Sequence, residues 1–172
     1  MDPIAWVLIA ISALVFIVVV SSIIFSFAGV WERVDDSVQL SGRERIRLVQ
    51  FIVFVLGKRV VAGGQQSFFG FAFGNTLWLR RRDRGILHLK HEGFPDEVAK
   101  QVEGQVMAQY RLHLSKDHNF LNGVFIPYRV EFSARPPRVT AMHPQPPVPR
   151  RYRRVELIVE PKLAAAASPA VK

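Results

Sequence analysis

The 172-residue chain has no cysteine. That excludes disulfide staples, thiolate nucleophiles and cysteine-ligated metals, and it agrees with a reducing compartment without requiring one. The chain also lacks a G-x-S-x-G elbow, an HExxH helix and a lysine-bearing phosphate loop, so no familiar catalytic signature is present. Basic residues are missing from one region: no Lys or Arg precedes Arg33. A cleaved signal peptide wants a basic start and a short apolar core of about 7–15 residues. Here the start is acidic (Asp2) and the core is longer, although Ser26-Phe27-Ala28 has the form of a cleavage site.

What is present is one long apolar run. Residues 4–30 carry no charge, His, Asn or Gln, and seventeen of these 27 are Ile, Leu, Val or Phe. As a helix the run would extend roughly 40 Å, against about 30 Å of bilayer hydrocarbon. Asp2 and Pro3 suit the N-cap and first helical position, and Trp6 and Trp31 would be interfacial anchors. Ser22, Ser26 and Gly29 fall on one helical face, where small residues would admit a second helix.

All 23 Lys and Arg and 13 of the 14 acids lie in residues 31–172, a net charge of +10. The positive-inside rule then predicts an inner-membrane protein with its N-terminus outside and its C-terminal domain in the cytoplasm. The alternative is a periplasmic domain. A basic domain beneath an anionic leaflet is attracted by about 1 kcal/mol per well-placed cation.

Periodicity divides the remainder. Residues 1–31 read as the membrane anchor and 32–59 as a juxtamembrane segment. Within the latter, Ser41-Gly42-Arg43-Glu44 has capping-box form, and an amphipathic helix is expected over 43–57, with a buried strand as the rival. Residues 60–160 read as a basic β-rich domain. Gly74-Asn75 predicts a hairpin pairing Phe73 with Thr76, Phe71 with Trp78 and Phe69 with Arg80. Residues 85–90 suggest a short strand, Pro95-Asp96-Glu97 a helical start, and the alternation over 102–114 a long half-buried strand. Asn122-Gly123 predicts another turn before a strand over 124–132. Residues 136–149 hold six prolines and are expected to be irregular, with a last strand over 150–160 and a disordered tail over 161–172. The fold class expected is a single N-terminal transmembrane helix plus a mainly β (α+β) domain, an antiparallel sandwich or barrel of about six or seven strands with one amphipathic helix.

The candidate binding residues are two arginine runs, Arg80, Arg81, Arg82 and Arg84, and Arg150, Arg151, Arg153 and Arg154. Guanidinium groups pair bidentately with phosphate and stack on rings, and Phe69, Phe71 and Trp78 form a neighbouring aromatic patch. Arg150-x-x-x-Arg154 resembles the arginine motif of PilZ nucleotide-binding domains, but the downstream Asp-x-Ser-x-x-Gly element is absent and the resemblance ends there. Pro146-Pro147-Val148-Pro149 has polyproline form and reads as a stiff connection. His88-x-x-His91 lacks a third ligand at metal-site spacing, and Asp117-His118 is the one neighbouring acid–base pair in a polar loop. No metal and no cofactor is expected. The reading is a non-catalytic, membrane-anchored accessory or scaffold protein that binds anionic lipid headgroups and/or an acidic or membrane protein partner. Its rivals are a membrane-tethered nucleic-acid binder and an enzyme with an unreadable site.

Overall fold

A computed structural model describes residues 3–34 and 44–155. Asp2, the Asp35-Asp36 segment, Ser41-Gly42-Arg43, residues 156–160 and the expected tail 161–172 lie outside the described residues. The elements are α1 (Pro3–Ile24), β1 (Gly29–Arg33), β2 (Arg45–Phe51), β3 (Phe54–Val61), β4 (Gly64–Phe73), β5 (Thr76–Arg84), α2 (Ile86–His91), α3 (Asp96–Val102), β6 (Val106–Leu114), β7 (Phe120–Ala134), β8 (Pro137–Pro144) and β9 (Val148–Val155).

Eight strands close into an antiparallel barrel in the ring order β1-β2-β3-β4-β5-β6-β7-β9, and β9 returns to β1. The ninth, β8, pairs only with the outer half of β7. The expectation of six or seven strands is therefore slightly low, and the architecture is a barrel rather than a sandwich. Closure matters energetically, because it leaves no exposed ladder edge among the ring strands.

Segment 43–57 is the largest correction. Its described residues, 44–57, form no helix: β2 and β3 pair from Arg47↔Lys58 to Phe51↔Phe54 as a hairpin within the barrel. Ile46, Leu48 and Val55 turn inward while Val49, Phe51, Phe54 and Leu56 turn outward. An apolar residue on both faces hides the two-residue period, so the sequence imitates a helix with a narrow polar stripe. Residues 32–33 and 45–59 of the expected juxtamembrane segment are accordingly in the barrel wall.

The Gly74-Asn75 hairpin has the predicted register, with Phe73↔Thr76, Phe71↔Trp78 and Phe69↔Arg80. The alternating segment is β6, and Asp96 opens α3 as expected. Three further expectations fail. Residues 86–91 form a short helix instead of a strand. Asn122 and Gly123 lie within β7, where a Cβ on Gly123 would meet the Arg111 carbonyl at 2.0 Å, so this glycine serves close strand approach rather than a turn. The proline-rich stretch contains β8 and the start of β9, because β8 is paired on one side only and its prolines need no partner on the other.

The barrel interior holds Trp31, Ile46, Leu48, Val55, Phe68, Leu77, Leu79, Tyr110, Leu112, Leu121 and Tyr152, all nearly inaccessible. Trp31 is thus a core residue and not an interfacial anchor. A second small core of Leu89, Val98, Ala99, Val102 and Met107 joins α2 and α3 to β8 on the outside.

α1 stops at Ile24, earlier than the apolar run. Residues 3–21 of it are long and apolar enough to cross a membrane. The chain then enters the barrel: Phe27 is fully buried in the core, its N–H donates to Gln50 Oε1 at 2.7 Å, and its carbonyl accepts from Trp31 Nε1 at 2.9 Å. Ser26 and Gly29 lie beyond the helix, so they form no helical face with Ser22, whose side chain is outside the described set. The residue that meets the barrel is Ser21, whose Oγ accepts from the Gly74 N–H at 3.2 Å.

Candidate functional surface

Strand alternation divides each arginine run. On β5, Leu77, Leu79, Arg81 and Asp83 point inward, and Arg80, Arg82 and Arg84 point outward. Arg81 Nη2 donates to Asp83 Oδ2 at 2.9 Å, and its guanidinium lies 5.7 Å from the Phe125 ring centroid. On β9, Tyr152 is inside, so Arg150 and Arg154 face inward while Arg151 and Arg153 face outward. Arg150 lies 5.3 Å from the same Phe125 ring, and Arg154 sits 4.7 Å above Trp31 and donates to the Ser26 carbonyl at 2.6 Å. Inside, Arg81 and Arg150 converge. Outside, Arg80, Arg82 and Arg84 are separated from Arg151 and Arg153 by β6 and β7, so the two runs do not make one patch.

The inward charges form a partly buried network away from α1. Glu44 accepts from Arg33 and lies 3.5 Å from Arg59, and it also receives Tyr152 Oη at 3.4 Å. Arg59 Nη1 additionally donates to Gln66 Oε1 at 3.2 Å. Burial pushes the Tyr110 hydroxyl up to about 12 and Tyr152 well above the ordinary tyrosine range. It raises Asp83 too, against the opposing pull of Arg81. These groups hold the barrel's polar end together, since an unpaired charge there would be costly.

The outer surface of β2–β5 differs from this. Four outward side chains align in register across it, Phe51↔Phe54↔Phe71↔Trp78. Two residues farther from α1 the next row is Val49↔Leu56↔Phe69↔Arg80, and two farther again comes Arg47↔Lys58↔Ser67↔Arg82. Phe51 is 74% exposed, and Phe54 and Leu56 are each 62% exposed. With Val49, Phe71 and Phe73, these side chains show on the order of 600 Å² of apolar surface at ~150–250 Å² per whole aromatic ring, the upper end for one patch on a monomer. Phe71 stacks on Trp78 at 5.1 Å, and Arg82 covers Phe69 at 4.6 Å. Between these rows runs a groove of about 510 Å³, floored at Gly70, where a Cβ would strike the Trp78 carbonyl at 1.8 Å.

Phe69, Phe71 and Trp78 thus lie together on this outer wall, beside Val49, Phe51, Phe54 and Leu56. Val49, Phe51, Phe54 and Leu56 were hidden by the helical reading of 43–57, and a strict two-residue alternation of that segment would have placed them beside Phe69, Phe71 and Trp78.

The remaining candidates lie elsewhere. Asp117 accepts from Ser115 Oγ at 2.5 Å and from Asn119, contacts that hold its carboxyl below the usual range and close the β6–β7 loop. His118, at φ 59°, faces Phe25 across 6.2 Å. His88 is buried in α2 and His91 follows in the same helix. Among the described residues no three His, Asp or Glu side chains group as metal ligands. No protein-family model, curated protein or solved structure compared with the chain matches it.

Proposed function

We propose that this protein is a non-catalytic accessory or scaffold module, anchored by α1 in a membrane and held against that membrane's anionic surface by the outer cations of its barrel. The observation that carries the reading is the row Arg47, Lys58, Arg82 with Arg80, set behind an apolar wall that begins beside the last turn of α1. Each such cation contributes about 1 kcal/mol beside an anionic leaflet, and the contribution falls with salt. Arg81, Arg150 and Arg154 drop out of the contact because they face inward. The distribution of Lys and Arg favours an inner membrane with the barrel on the cytoplasmic side. On that side, an acidic or membrane-embedded partner would meet the same surface.

The full chain in nanodiscs, with and without a third of anionic lipid, tests this through phenylglyoxal modification of arginine read by mass spectrometry. Arg80, Arg82 and Arg47 should be shielded several-fold by anionic lipid, and 0.5 M salt should remove the shielding. Equal modification in both lipids contradicts the reading.

A second reading, single-stranded nucleic acid, is favoured by one observation: Trp78 and Phe71 lie beside outward Arg80 on the same wall. Bases would stack on those rings, with affinity falling steeply in salt. No gel shift at low salt removes it.

A further inference from the structure

Hairpin turns on a water-exposed barrel favour Asn and Gly, because those residues adopt positive φ cheaply. The β2–β3 turn is instead Ile52-Val53, flanked by Phe51 and Phe54. Ile52 has φ 54°, a left-handed conformation that a β-branched residue adopts only with strain. The turn is apolar where its geometry asks for the opposite, so something other than backbone preference set its composition.

Both of its carbonyls are nevertheless paired. Gln50 Nε2 donates to the Ile52 carbonyl at 2.8 Å, and the Ala72 N–H donates to the Val53 carbonyl at 2.7 Å. At the neighbouring β4–β5 turn the Gly74 N–H is taken by Ser21 of α1. Apolar side chains over internally bonded carbonyls suit a hydrocarbon environment, where unpaired backbone groups are costly.

The position agrees. Ser21 lies three residues before the end of α1, about 4.5 Å along its axis. Val18, Ser21 and Phe25 line one crevice with Gln50, Val53 and Phe73. If α1 crosses a bilayer, both turns sit at the level of its last apolar turn, where the hydrocarbon ends. From the Phe51–Trp78 row to the Arg47–Arg82 row is four residues, about 14 Å along the strand and about 10 Å along a barrel axis at ordinary strand tilt. That drop compares with about 5–8 Å of headgroup region per leaflet.

We propose that the β2–β5 wall is immersed in the leaflet from which α1 emerges, with Phe51, Ile52, Phe54, Phe71 and Phe73 among the upper acyl chains and Arg47, Lys58 and Arg82 at the phosphates. The inference deepens the membrane-surface reading and rests on it: the occupant of the apolar wall is the bilayer itself. The barrel is then a wedge in one leaflet, tilted so that its other side stays in water.

The absence of cysteine allows single spin labels without background. Phe54→Cys, Phe71→Cys and Arg153→Cys variants of the full chain, labelled and placed in nanodiscs with a third of anionic lipid, would be read by collision with oxygen and with a nickel chelate. The wall predicts oxygen-favoured collisions at 54 and 71, with a nickel accessibility at least fivefold below that at 153. All three positions are exposed or half-exposed, and retention of the β-sheet circular dichroism spectrum checks that each variant folds. Nickel accessibility at 54 and 71 equal to that at 153 overturns the proposal. So does spin–spin broadening between copies at 54 or 71, which would make a second copy of the chain the occupant. If immersion fails while anionic lipid still shields Arg80 and Arg82 from phenylglyoxal, the barrel rests on the membrane without entering it. If both fail, the membrane-surface reading falls with the proposal.

Discussion

Two walls of one barrel share an interior and differ outside. On β2–β5 the row nearest α1 is Phe51, Phe54, Phe71 and Trp78. On β7, β9, β1 and the far end of β2 another registered row is Phe120, Arg153, Glu32 and Arg45. There Glu32 is 2% exposed between two arginines, with Arg45 Nε and Arg153 Nη2 each 3.2 Å away. The inward residues of both walls serve a common core, so folding alone does not explain the contrast. A barrel needs one apolar face per strand. β2 and β3, with two apolar faces and an apolar turn, exceed what closure requires, and the excess lies where α1 joins. The difference teaches that the outside of this barrel is specialised by side, and that the specialised side is the one α1 joins.

The contrast can be broken from either side. The largest effect is expected from Phe54→Asp with Phe71→Asp. This pair should abolish wall contact with lipid, a loss of tenfold or more in shielding from an aqueous quencher. Yet it should change the unfolding free energy in detergent by no more than about 1 kcal/mol, because both side chains are exposed. A large loss of stability would mean that the wall is folding surface instead.

The charged wall should respond oppositely. Glu32→Ala leaves two arginines facing one another over a buried gap, and should cost about 2 kcal/mol in chemical unfolding while leaving lipid contact unchanged. The two arginines are half or more exposed, so water screens part of the penalty.

A smaller effect sharpens the comparison. Ile52→Asn relieves a strained left-handed residue, and should stabilise the barrel in detergent by about 0.5–1 kcal/mol while weakening its contact with the membrane. Opposite signs in the two assays would show that the apolar turn is maintained for contact and not for folding.

The shared interior provides a control common to both walls. Tyr110 is pushed up to about 12 from the ordinary 10.0, so its folded pKa lies above its unfolded value. The corresponding stability is complete below pH 10 and is lost as pH rises toward 12. Absorbance at 295 nm should show Tyr110 and Tyr152 ionising only as the barrel unfolds, equally in the double-aspartate wall variant and the parent chain. Ionisation at pH 10 in the folded barrel would contradict the burial.

How far these features were legible in the sequence depended on whether one strand face was polar. β5 and β6 alternate cleanly, and Gly74-Asn75 states its turn, so the hairpin register follows from residues alone. β2 and β3 present apolar residues on both sides, and Ile52-Val53 has no turn chemistry, so the same reasoning yields a helix there. Gly123 reads as a turn because close strand approach and left-handed turns both call for glycine. Runs such as Arg150-Arg151-Tyr152-Arg153-Arg154 look like one cationic surface until alternation sends Arg81, Arg150 and Arg154 inward, onto Phe125 and Trp31. The apolar helix was plain, but its end was not. Phe25 and Phe27 continue the hydrophobic run while belonging to the barrel, since a membrane helix and a protein core draw on the same residues.

The most direct test of the central claim is photocrosslinking from a benzophenone side chain at position 54 of the full chain, in membranes of cells that make it, read by mass spectrometry. The account predicts adducts with phospholipid acyl chains at position 54 and none when the same group replaces Arg153. A crosslinked dimer, or a protein adduct at 54 without lipid, would contradict it.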